Sequence, residues 1–262
     1  MLIALPEIKV RKIVDMMAVD AIIYISCAFF LGGLLKGATG VGAPFVAVPV
    51  MAMLFDAQFA VACFVMPNIV TNIVQFFQTR TRVASWRLLW KFGLAGASGA
   101  VAGSFVLVSV SQQWLMLTIS ALMLAFVGWR IAKPQLKLSL SAGIAGAVPA
   151  GFIAGMLQGA AGISAPVSVS YLSLLKLERS AFIATISFFF LAMGLVQLPA
   201  LIQLGVITSE LFYFSCFAIL PLLGGMPAGA FLARFASAEQ FNLLLLIILT
   251  ALAFRLAISA IF

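Results

Sequence analysis

The chain has 262 residues, of which 65% are hydrophobic and only 8% charged, with a mean hydropathy of +1.23 and a formal net charge of +8. A soluble domain needs about a quarter of its residues charged to cover its surface, so most of the outer surface of this chain must face lipid. At about 20 residues per transmembrane helix the length accommodates eight to ten spans with short loops, and it excludes an appended soluble domain of about 50 residues or more.

Taken in order, the chain begins with Lys9, Arg11 and Lys12 ahead of an apolar run that starts near Ala21. The run continues beyond the length of a signal-peptide core and ends at Lys36 and a glycine cluster without an A-x-A cleavage site, so it reads as a retained first span. Residues 8–17 predict a short amphipathic helix lying along the interface. The apolar segments then fall at 19–37, 44–55, 57–78, 87–110, 112–131, 139–160, 166–176, 180–202, 208–233 and 238–262. The segments at 44–55 and 166–176 are too short to cross about 30 Å of hydrocarbon at 1.5 Å per residue. Both follow a glycine-rich interruption.

The two interruptions resemble each other. Gly33-Leu-Leu-Lys-Gly37-Ala-Thr-Gly40-Val-Gly-Ala43-Pro44 aligns with Gly155-Met-Leu-Gln-Gly159-Ala-Ala-Gly162-Ile-Ser-Ala165-Pro166 at a fixed offset of 122, and Gln75 and Gln197 share that offset. Gly99-x-x-x-Gly103 answers Gly225-x-x-x-Gly229 at 126, one helical turn more; this spacing permits close helix contact. The pattern predicts an all-α integral membrane protein with an interfacial segment at 1–17 and two internally repeated halves, 18–137 and 138–262, each with a Gly-Pro broken helix. If the short segments cross, each half has five elements and the repeats are inverted; if they are re-entrant, each half has four spans and the repeats are parallel. Counting of positive charges does not choose between the two, and broken helices near the midplane are the habit of inverted repeats.

Non-helical backbone at membrane depth persists only where it lines protein or a water-filled cavity. Pro44 and Pro166 suit the first position of a new helix, and Ala43 and Ala165 before them offer no capping oxygen. The N–H groups of the next turn are then expected to be free and to meet the positive end of the helix dipole, and two such ends facing each other would hold an anion. Capping by Thr39, Ser164 or Ser168 would make the breaks matters of packing alone. Lys36 stands beside the first break, where a charge at the bilayer centre needs a compensating role, unless it snorkels to the interface; Gln158 occupies the matching position in the second half. Asn68, Asn72 and Gln75 fall on one helix face, lining a cavity unless they serve interhelical hydrogen bonding alone. The candidate substrate-binding set is therefore Lys36, Thr39, Gly40, Gly42, Pro44, Asn68, Asn72, Gln75, Gln158, Gly162, Ser164, Pro166 and Gln197.

Other chemistries lack their residues. The basic residues cluster in short loops, as at Arg80, Arg82, Arg87 and Lys91, which reads as topology and not as a nucleic-acid patch. Cys27, Cys63 and Cys216 form no C-x-x-C pair, so no metal site is indicated. No phosphate-binding loop is present. There is no His, and the seven acids sit near segment ends, leaving no general base for a catalytic residue set and no buried carboxylate for a proton relay. The chain reads as no enzyme and needs no cofactor.

The duplicated Gly-x-x-Gly-x-x-Ala-Pro core at 37–44 and 159–166, with Gln75 and Gln197, resembles the TauE/SafE family of sulfite exporter-like membrane proteins, and the resemblance extends over essentially the whole chain. It implies a bacterial inner-membrane transporter of small anions such as sulfite, sulfonates or related organic anions. One departure is that Gly37-Ala-Thr-Gly40 carries Ala38 and Thr39 where the family is often richer in glycine, so the substrate can differ. The reading is a multi-pass carrier whose partners are the lipid bilayer and a small anionic substrate, exporting by alternating access with the site between the two breaks; Gly-rich faces make a homodimer plausible. The alternatives are a passive anion channel of the same architecture and a non-transport membrane scaffold or assembly factor.

Overall fold

A computed structural model describes residues 18–132, 136–235 and 238–261. The interfacial helix expected within 1–17 lies outside these residues. The described chain folds into helices α1 (Ala18–Thr39), α2 (Ala43–Leu54), α3 (Ala57–Thr79), α4 (Trp86–Ser109), α5 (Gln112–Ala132), α6 (Leu140–Ala161), α7 (Ala165–Leu174), α8 (Arg179–Gln203), α9 (Ser209–Phe217), α10 (Ile219–Leu232) and α11 (Ala238–Ile261), with one 3-10 turn at Arg80–Arg82. Among the described residues seven stretches are long and apolar enough to cross a bilayer, and α2, α7 and the Leu246–Ile261 part of α11 are shorter apolar helices. The protein is a multi-pass, all-helical membrane protein.

Four helices begin where the sequence supplies a capping oxygen. Asp56 Oδ1 accepts the Phe59 N–H at 2.7 Å to start α3, and Ser85, Ser139 and Thr208 do the same for α4, α6 and α9. One expected span is divided: the segment at 208–233 forms α9 and α10, which meet at Ala218. Pro221 has no N–H to give to the carbonyl of Phe217, and the next bond, Leu222 N–H to Ala218 O, is long at 3.4 Å.

Two glycine seams hold the bundle together. Along α1 and α10, a Cβ placed on Gly33 would lie 2.3 Å from Leu222 O, one on Gly37 1.9 Å from Met226 O, and one on Gly229 1.9 Å from Leu34 O. Along α4 and α6, a Cβ on Gly155 would lie 2.0 Å from Gly96 O, one on Gly159 2.2 Å from Ala100 O, and one on Gly103 2.1 Å from Met156 O. Contact numbers rise together in each pair, so both pairs run parallel. The helices approach closely enough that only glycine fits, which is how membrane helices gain packing energy without a hydrophobic drive. By contrast α3 and α8 run antiparallel: Gln75 meets Ser187, Phe76 meets Phe188, and Ile69 meets Gly194.

Candidate functional site

The first break occupies Gly40–Gly42. Gly40 (φ +84°) and Gly42 (φ +117°) adopt left-handed backbone that a side chain would strain, and α2 restarts with Pro44 in its first turn and no side-chain cap. Three carbonyls at the break accept donors from three directions. Gly40 N–H donates to Lys36 O at 2.7 Å, Arg179 Nη2 donates to Ala38 O at 3.1 Å, and Gln75 Nε2 donates to Gly40 O at 3.3 Å. Thr39 donates its hydroxyl to Leu35 O at 2.7 Å and accepts the Val41 N–H at 3.3 Å. The N–H groups of buried Gly42 and Ala43, however, meet no acceptor among the described residues. These N–H groups open α2 and so stand at the positive end of its dipole.

Lys36 sits one turn before the break, 3% exposed. Its Nζ donates to Asn72 Oδ1 at 2.8 Å and lies 6.0 Å from the centroid of the Phe190 ring. Asn72 Nδ2 donates to Asn68 Oδ1 and to Asn68 O, both at 2.7 Å, and Asn68 Nδ2 donates to Phe190 O at 3.2 Å. One hydrogen-bonded chain thus joins α1, α3 and α8. Among the described residues no carboxylate pairs with Lys36: Asp20, Glu178 and Glu210 are exposed, and Asp56 caps α3. The same residues contain no group of three or more His, Cys, Asp or Glu that could hold a metal ion.

The second break, at Gly162–Ser164, is built differently. Gly162 (φ +70°) ends α6, and Ser164 precedes Ala165 and Pro166 without capping α7 by its side chain. Gln158 and Gln197 are buried, at 2% and 1% exposure, and Gln158 Oε1 and Gln197 Nε2 have no hydrogen-bond partner. The Ser164 and Ser168 hydroxyls lie 3.3 Å apart.

One expectation needs correcting. The N–H groups that follow the prolines are not free: Phe45 N–H donates to Gly42 O at 3.0 Å, and those of Val167 and Ser168 donate to Ser164 O at 3.0 and 2.9 Å. The unsatisfied donors lie one or two residues earlier, because each helix tightens its first turn. The two breaks also meet α3 at different heights. The first touches α3 at Gln75, while a Cβ on Gly162 would meet Val61 at 3.2 Å; these positions are fourteen residues, or about 21 Å, apart along α3. Lys36, Asn68 and Asn72 come together between them, whereas Gln158 and Gln197 make no hydrogen bond to that chain. Arg179 and Phe190 join the site although no spacing marked them, since each is a single residue brought in by the crossing of α8; Ser187, also on α8, donates to Gln75 Oε1 at 3.4 Å.

No curated protein and no solved structure matches the chain. A buried lysine that no described carboxylate pairs, beside a helix start with two unbonded N–H groups in a multi-pass helical protein, fits a membrane transporter. The family model described as Sulfite exporter TauE/SafE matches residues 25–256, nearly the whole chain, and the chain belongs to that family.

Proposed function

We propose that this protein exports a small oxyanion or related organic anion, such as sulfite or a sulfonate, across a bacterial inner membrane by alternating access, with Lys36 as the fixed charge of the binding site. The observation that carries the reading is the burial of the Lys36 ammonium with only an amide oxygen and an aromatic ring beside it. A buried charge left without a counterion is costly, and a transported anion supplies that counterion in the loaded state. The free N–H groups of Gly42 and Ala43 add directed donors one turn away, and Asn72 and Asn68 hold the ammonium in position.

The architecture supports two inverted repeats, 18–137 and 138–262. Helix starts at Ala18, Ala43 and Ala57 recur 122 residues later at Leu140, Ala165 and Arg179. The first helix of each half packs on the fourth element of the other through equivalent glycines. The antiparallel meeting of α3 with α8 favours a twofold axis lying in the membrane plane, because an axis along the membrane normal would make those helices parallel. The two breaks then belong to opposite sides of the midplane, with Lys36 between them. Such an arrangement suits a carrier that exposes one central site to each side in turn.

The test is flux of labelled sulfite and of a sulfonate panel in proteoliposomes. Wild type should show saturable flux with counterflow, and Lys36→Gln should lower it by at least tenfold while Lys36→Arg retains part of it. Unchanged flux in folded Lys36→Gln would sink the assignment of Lys36, and conductance without counterflow would replace the carrier with a channel.

A further inference from the structure

A single buried serine closes a gap in α3 immediately before the amide residues of the site. Pro67 has no N–H, so the helix has no internal donor for the carbonyl of Cys63, four residues earlier. A buried carbonyl left in that state is unfavourable in a membrane. Ser215, on α9 and 1% exposed, donates its hydroxyl to Cys63 O at 2.9 Å and accepts the Met66 N–H at 3.1 Å. Both bonds fall within the turn that precedes Asn68, and the Phe59 and Phe214 rings, 6.4 Å apart, pack the same two helices.

The connection extends to Lys36 by a second route. α9 packs on α3, whereas α10 packs on α1 through the glycine seam. Between α9 and α10 lies the Ala218 joint, where Pro221 removes one helix hydrogen bond. The two helices that contribute Lys36 and Asn72 are therefore each packed by one part of the same jointed span.

We propose that Ser215 is a positioning residue for the anion site: it fixes α3 on α9, and through the Ala218 joint it sets the spacing between Asn72 and Lys36. This rests on the transport reading above for its functional consequence, but not for its geometry. Ser215→Ala should raise the KM for the transported anion by about tenfold, as expected for one lost buried hydrogen bond, with maximal flux per folded protein changed less. Ser215→Thr, which keeps the hydroxyl, should restore the KM to within about twofold. The decisive variant is Pro67→Ala, which returns an N–H to Cys63 O from within the helix. In that background Ser215→Ala should change the KM little, and the double variant also serves if Ser215→Ala alone fails to fold.

An unchanged KM in folded Ser215→Ala, or a full KM shift that persists in the Pro67→Ala background, would overturn the proposal. If wild type moves none of the tested anions, the transport reading fails, and hydrogen exchange then decides the positioning by itself. Exchange across 65–75 should quicken in Ser215→Ala relative to wild type and Ser215→Thr, with α4 unaffected; equal exchange in all three would refute it.

Discussion

Lys36 combines a costly burial with the function proposed for it. Its ammonium is removed from water and has one side-chain hydrogen-bond acceptor, Asn72 Oδ1. Removing one partner from a buried charge is worse than removing the charge itself. Two substitutions at this contact should therefore move stability in opposite directions. Lys36→Gln keeps a donor for Asn72 and removes the charge, and should raise stability by about 1–3 kcal/mol while abolishing flux. Asn72→Leu strands the charge, and should lower stability by about 2 kcal/mol and reduce flux as well. Thermal unfolding in detergent of the two variants beside wild type measures both; a destabilised Lys36→Gln would mean that the lysine serves the fold and not the substrate.

The helices themselves were almost entirely legible in the sequence, because lipid demands long apolar runs and the chain has little else. The expected segments at 57–78 and 112–131 lie within one residue of α3 and α5 at each end. The exception at 208–233 had its cause in plain view at Pro221. What the sequence could not disclose was which element each glycine meets. Gly99 and Gly103 were recognisable as a contact motif, but their partner, the Gly155 to Gly159 face of α6, depends on how the halves interlock. Ser215 left no pattern at all; its only signal is a proline that orphans a carbonyl on a distant helix. The seams make a direct prediction. Gly229→Ala, whose new Cβ would fall 1.9 Å from Leu34 O, should destabilise the protein by about 1–3 kcal/mol. Gly128→Ala, with nothing within 4 Å, should be neutral or slightly stabilising. Unfolding midpoints of the two variants compare them directly, and equal midpoints would mean that the α1–α10 seam is looser than described.

At the scale of the whole molecule the open question in the sequence was whether the halves are inverted or parallel, since both schemes place the same number of basic residues on one side. The antiparallel packing of α3 on α8 favours the inverted scheme proposed above. Under inversion the C-terminal ends of these helices, near Ala84 and Gln203, emerge on opposite sides of the membrane; under parallel repeats they emerge on the same side. Other features agree with inversion. Arg179, at the start of α8, reaches Ala38 O, while α8 also touches the Arg80–Arg82 turn at the end of α3. The N-terminal end of α8 and the C-terminal end of α3 therefore share a face, and that face collects Arg80, Arg82, Arg87 and Arg179 as a positive-inside surface does. The expected result follows from single cysteines introduced in a background whose native cysteines are replaced by serine. A membrane-impermeant thiol reagent applied to intact cells should label Gln203→Cys and leave Ala84→Cys unlabelled until the membrane is opened. Labelling of both from the same side would require parallel halves, would put Lys176 and Arg234 on the outer face, and would remove the geometric basis for exposing one central site alternately to the two sides.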